Sequence, residues 1–226
     1  MMDIKKVSLK TNHIKALKNF YSTVLGMKVI KEDEKNLQLA VGSSLLEFSS
    51  TNVKGNPYYH FAFNIPSNKF NEAKSWVESR VQLNTEDGED EVDFSDLPAH
   101  SLYFYDPAGN IVEFIARHSI SKDSDDPFSS QSLLKISEIS VTVQDAQSAG
   151  EKLSRIGILE RDQEPIDGSA LNFMGRREDG NSLLLIEPGR RWIFSDKQAE
   201  VYPLEILLDT GDRIIVNDQH ELVVNS

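Results

Sequence analysis

The sequence predicts an α+β fold assembled from βαβββ units, and three observations carry that prediction. Segments with strand-like alternation open the stretches at 7–12, 60–65 and 138–143, and each leads into a helical period. Further strands bounded by turn residues follow each helix. One turn, Asp106-Pro107-Ala108-Gly109-Asn110, joins two strands with specific chemistry. Proline presets one dihedral, and Gly and Asn tolerate the positive φ that closes such a turn.

In the first unit a helix is expected over 13–25. Ile14, Leu17, Phe20, Tyr21 and Val24 fall at helical spacing, with Thr11 or Asn12 as N-cap and Gly26 as the stop. Strands follow at 28–31, 37–41 and 45–48. The second unit places a helix near 70–80, then a strand alternating through Leu102 and Phe104, and another at 111–115. The third places a helix near 145–156, stopped by Gly157. Residues 119–132 are polar and read as a linker. Beyond Pro188 the pattern fades into strands at 204–208, 213–216 and 221–224, so any fourth unit has lost its helix.

Composition narrows the function classes. The chain has 226 residues, a net charge of −12 and no cysteine, which removes disulfides, thiolate metal sites and thiol nucleophiles. The acidic balance opposes nucleic-acid binding. Much of it sits at 86–91, a block that reads as a solvated loop. No apolar run approaches the roughly 18 residues of a membrane span, and the first residues lead into a strand rather than a signal segment. A cytoplasmic protein acting on a small molecule, with neither nucleic acid nor membrane as partner, is the expectation.

Glu113 turns the fold into a question of chemistry. It sits inside the apolar strand Ile111-Val112-Glu113-Phe114-Ile115, where a carboxylate needs a cation or a strong hydrogen-bond partner. Leu45-Leu46-Glu47-Phe48 echoes it in the first unit.

The repeated units, the helix end Phe20-Tyr21-Ser22-Thr23-Val24-Leu25-Gly26-Met27 and the segment Tyr105–Phe114 together resemble the vicinal oxygen chelate superfamily. That group includes glyoxalase I, extradiol dioxygenases, fosfomycin-resistance enzymes and bleomycin-binding proteins. The resemblance implies paired βαβββ modules over 1–118 forming an open cup of mixed sheet. A third module and a strand-rich tail would fill 133–226. It further implies a divalent metal (Fe, Mn, Ni or Zn) held by side chains from the first and last strands of the units. Those positions fall on Lys6 and Glu47, on His60 and Glu113, and on Glu138 and Glu187. His60, Glu113 and Glu47 are the implied ligands, with chemistry of the lyase or ring-cleavage dioxygenase kind.

Lys6 departs from the pattern, because a protonated lysine has three donors and no acceptor and cannot ligate a metal. This leaves an alternative of the bleomycin-resistance type, a metal-free binding pocket in which Lys6 replaces the ion's charge by pairing with Glu47 or Glu113. His100 is a candidate acid/base, since its ordinary pKa is about 6.5, and Glu113 is a second candidate for moving a proton. Tyr103 and Tyr105 alternate with Leu102 and Phe104, so one of these pairs lines the pocket with Lys6. Relatives with a single pair of modules dimerise to complete their cups, so a homodimer is the remaining partner expectation.

Overall fold

The computed structural model describes residues 2–94 and 97–225. Its strands are β1 (Ile4–Lys10), β2 (Val29–Glu32), β3 (Asn36–Val41), β4 (Ser44–Ser49), β5 (His60–Ile65), β6 (Glu91–Phe94) and β7 (Ala99–Tyr105). They continue with β8 (Ile111–Arg117), β9 (Lys135–Thr142), β10 (Asn172–Met174), β11 (Ser182–Ile186), β12 (Leu204–Leu208), β13 (Arg213–Val216) and β14 (Leu222–Asn225). Three helices, α1 (Ile14–Lys18), α2 (Phe70–Glu78) and α3 (Ala146–Ser154), complete the units. The expected first helix is there, but its second half, Asn19–Val24, widens to a π-helix, with Leu25 N–H donating to the Phe20 carbonyl. No helix among the described residues is long and apolar enough to cross a membrane.

Two seven-stranded mixed sheets form, ordered β14-β13-β12-β1-β4-β3-β2 and β10-β11-β9-β5-β8-β7-β6. The pairing of units departs from the expectation of one paired domain over 1–118. β1 pairs antiparallel with β12 of the tail, and β5 pairs antiparallel with β9 of the third unit. The first unit thus completes its sheet with the tail, and the second with the third. Every opening strand leaves one free edge, and an alternating strand pairs as well with one antiparallel neighbour as with another. Nothing local in the sequence chooses among them.

Large side chains from both sheets meet in one core that includes Val7, Leu9, Phe48, Phe61, Phe63 and Phe114. Tyr59 ties the two passages between sheets together. Its hydroxyl accepts from the Lys10 amide at 3.1 Å and donates to the Pro203 carbonyl at 2.8 Å. Each sheet turns its opposite face into a cup. On β1 that face carries Lys6, Ser8 and Lys10; on β5 it carries His60, Ala62 and Asn64.

Candidate metal centre

The centre of the second cup is set by register. Ala62 on β5 lies opposite Glu113 on β8 and opposite Glu138 on β9, so the two carboxylates flank a methyl group. His60, two residues earlier on the same face, adds an imidazole. Ligand atoms of His60, Glu113 and Glu138 lie within 4.8 Å of one another, and all three residues are buried.

The Asp106–Asn110 turn builds this site without entering it. Asp106 accepts from the amides of Ala108 and Asn110, from the Asn110 side chain and from the Tyr21 hydroxyl. The Asn110 side chain in turn accepts from the Tyr59 amide at 2.8 Å, fixing the start of β5. Gly109 has φ +81°, and a Cβ there would collide with the Lys197 ammonium, which donates to the Gly109 carbonyl. His60 Nδ1 lies 3.1 Å from the Ile111 carbonyl. A carbonyl only accepts, so Nδ1 carries the proton and Nε2 is left to face Glu113 Oε2 at 3.4 Å.

Each carboxylate has a fixed supporter. Ser101 donates to Glu113 Oε1 at 2.6 Å. Arg117, itself buried, donates to Glu138 Oε1 at 2.5 Å and to the Ser137 hydroxyl. Burial disfavours the His60 imidazolium, yet Glu113, with Glu138 behind it, more than reverses this and raises the His60 pKa. Burial first and the neighbouring Glu113 second raise the Glu138 pKa, against the pull of Arg117. Burial, Glu113 and Glu138 also hold the Tyr103 phenol well above its ordinary value, so it stays protonated.

With His60 neutral, two buried carboxylates share one arginine, and the cluster is short of positive charge. The Nε2 of a neutral His60 and two carboxylates converging within 4.8 Å fit a divalent cation by donor chemistry, and their supporting hydrogen bonds are of the kind that orient metal ligands. Above them is a cavity of about 420 Å³ whose walls include Phe94, Tyr103, Phe173, Leu184, Trp192 and Ile193.

A strap beyond β11 roofs the cavity. The Trp192 ring centroid is 4.9 Å from that of His60, and Phe194 stacks on Tyr103 at 5.0 Å. Glu86 anchors the strap by accepting from the Arg191 side chain and the Phe194 amide. The Tyr105 hydroxyl anchors it again through Asp196 at 2.7 Å.

Several candidate residues stand elsewhere than the sequence predicts. Glu47 is in the other sheet, accepting from Ser8 and Gln38 at 3.0 and 3.1 Å with Lys6 Nζ at 3.6 Å; Glu138 takes its place beside His60. His100 faces away from Glu113. It packs on Phe70 of α2 and shares a 2.7 Å hydrogen bond with His118, because alternate residues of β7 point to opposite faces. Lys6 belongs to the first cup and has no contact with Glu113. Tyr103 lines the cavity, whereas Tyr105 serves the strap. Glu187 caps α3 by accepting from the Ala146 amide.

Arg117 and the strap aromatics are absent from the residues that the sequence singles out. Arg117 ends an apolar strand at a buried position, and that is the signal that would find it. The strap's Trp-Ile-Phe run at 192–194 is apolar within an otherwise polar loop.

With this geometry in place, the likenesses to known proteins are informative. Residues 136–190 match the family model of toxoflavin-degrading enzymes. No curated protein matches the chain. Among solved structures, a Bacillus subtilis protein provisionally described as a dioxygenase superposes with a TM-score of 0.57 at 15% identity. That likeness covers 81% of this chain and 63% of the other. A glyoxalase I variant from Zea mays gives 0.53 at 14% identity, covering 82% and 67%. The protein has the fold of the vicinal oxygen chelate superfamily.

Proposed function

We propose that the protein is a divalent-metal enzyme that degrades a small, flat, oxygen-bearing heterocycle, with His60, Glu113 and Glu138 as the metal ligands. The observation that carries this reading is the convergence of their ligand atoms within 4.8 Å at the floor of an apolar cavity. One imidazole and two carboxylates suit Mn²⁺, Fe²⁺, Ni²⁺ or Zn²⁺. When bound, such an ion polarises substrate oxygens and stabilises negative charge developing on them.

The chain's own residues supply the rest. Ile111 fixes the His60 tautomer, while Ser101 and Arg117 aim the carboxylates. Tyr103, kept protonated, holds its hydroxyl beside Glu113 and Ser101, so a substrate oxygen competes with that carboxylate for its proton. Phe94, Phe173 and Trp192 offer ring faces to a planar molecule, and the strap keeps water out. Glu113 and Glu138 are the groups placed to take up a proton from the substrate.

The toxoflavin-family match supports a heterocycle of that kind, because the matched stretch contributes Glu138, Ala170, Leu171, Phe173, Leu184 and Arg190 to the cavity. The test is to load the protein with each metal and follow the absorbance of toxoflavin with and without dioxygen. Loss of absorbance that falls at least about 100-fold in Glu138→Gln is expected. Dependence on dioxygen separates ring cleavage from lyase chemistry. Intact toxoflavin with metal-loaded protein would overturn the substrate reading, and failure to take up any metal would overturn the centre itself.

A further inference from the structure

The first cup repeats the second in register. Ser8 on β1 lies opposite Glu47 on the parallel neighbour β4 and opposite Glu205 on the antiparallel neighbour β12. Ala62 on β5 has the same relation to Glu113 on β8 and Glu138 on β9. Lys6 stands two residues before Ser8, where His60 stands two before Ala62. The carboxylates have side-chain partners in both cups, though from different positions. Glu47 accepts from Ser8 of the central strand and Arg213 on β13 reaches Glu205 at 3.2 Å, whereas Ser101 on β7 and Arg117 on β8 serve Glu113 and Glu138. The first cup encloses about 410 Å³, much like the roughly 420 Å³ of the second.

Of the differences between the cups, among them Gln38 opposite Glu47 where Tyr103 lies opposite Glu113, two bear on an ion. Lys6 brings an ammonium in place of an imidazole, and Ser8 puts a hydroxyl where Ala62 leaves room. Lys6 Nζ makes no hydrogen bond among the described residues; its contact is Glu47 Oε1 at 3.6 Å. An ammonium there offers no lone pair and supplies the positive charge that an ion would otherwise bring.

We infer that the first cup is a second metal centre disarmed at Lys6 and Ser8, so that the chain holds one ion, and that restoring a ligand and space there creates a second site. The inference rests on reading the His60 cluster as a metal centre. Glu47 and Glu205 supply the carboxylates, and Lys6→His with Ser8→Ala supplies the imidazole and the room.

The experiment is elemental analysis of the full chain after equilibration with Mn²⁺ or Zn²⁺ and removal of free ion, with melting curves to confirm folding. Wild type takes up about one ion per chain and Lys6→His/Ser8→Ala about two. In a His60→Ala background, which empties the second cup, the same pair of changes raises uptake from none to about one. Adding Glu205→Gln abolishes that uptake. A folded triple variant that takes up no ion overturns the inference. Should the triple variant fail to fold, Lys6→His with His60→Ala alone is read in the same way. If wild type binds nothing while the triple variant binds one ion, the proposed function falls and the disarmed cup stands.

Discussion

Around Ala62 the cup buries an imidazole and two glutamates under an aromatic strap; around Ser8 the matching cup leaves a lysine and two glutamates partly open to water. Side chains of His60 and Glu113 are 6% and 3% exposed, against 22% and 24% for Lys6 and Glu47. One backbone register therefore supports two electrostatic solutions. Where water is excluded, the carboxylates must share a strong cation. Where water enters, an ammonium at 3.6 Å suffices, and each charge costs little.

Breaking the buried cup has the largest expected effects. His60→Ala with Glu113→Gln removes stoichiometric metal, read by elemental analysis. Arg117→Met leaves Glu138 uncompensated and costs about 3–5 kcal/mol in the metal-free protein, measured by urea unfolding; a smaller loss in saturating metal would show the ion replacing the guanidinium. Next comes Tyr21→Phe, which deprives buried Asp106 of one donor and costs about 1–3 kcal/mol. The smallest is Lys6→Ala. Ser8 and Gln38 keep hold of Glu47, so the loss is about 0.5 kcal/mol. A loss above about 2 kcal/mol would mean that the open cup is as tightly coupled as the buried one.

The pH response sharpens the same contrast. The folded pKa of metal-free His60 is raised above 6.5. Its charged form therefore contributes stability that is full below pH 6.5 and lost as pH climbs through the raised value. Metal must displace that proton, so uptake at limiting metal increases over the same window. Melting temperature and metal uptake measured between about pH 6 and 9 check both signs.

Much of the second cup is legible in the sequence because its logic is local. Alternation locates β5 and β8, the Asp106–Asn110 turn joins β7 to β8, and a glutamate in an apolar strand announces itself. The choice between Glu47 and Glu138 is not local. Both occupy the expected strand positions, and only the pairing of β5 with β9 rather than with the first unit decides which one meets His60. The strap is equally out of reach, since Glu86 and Arg191 are 105 residues apart. The two readings that Lys6 sets against each other concern different sheets.

Metal content in Glu138→Gln and Glu47→Gln, each loaded alongside wild type, tests the proposal that the cup of His60 holds an ion. Loss of the ion in Glu138→Gln with retention in Glu47→Gln is the predicted result. Retention in Glu138→Gln and loss in Glu47→Gln would contradict it and move the centre to the cup of Lys6.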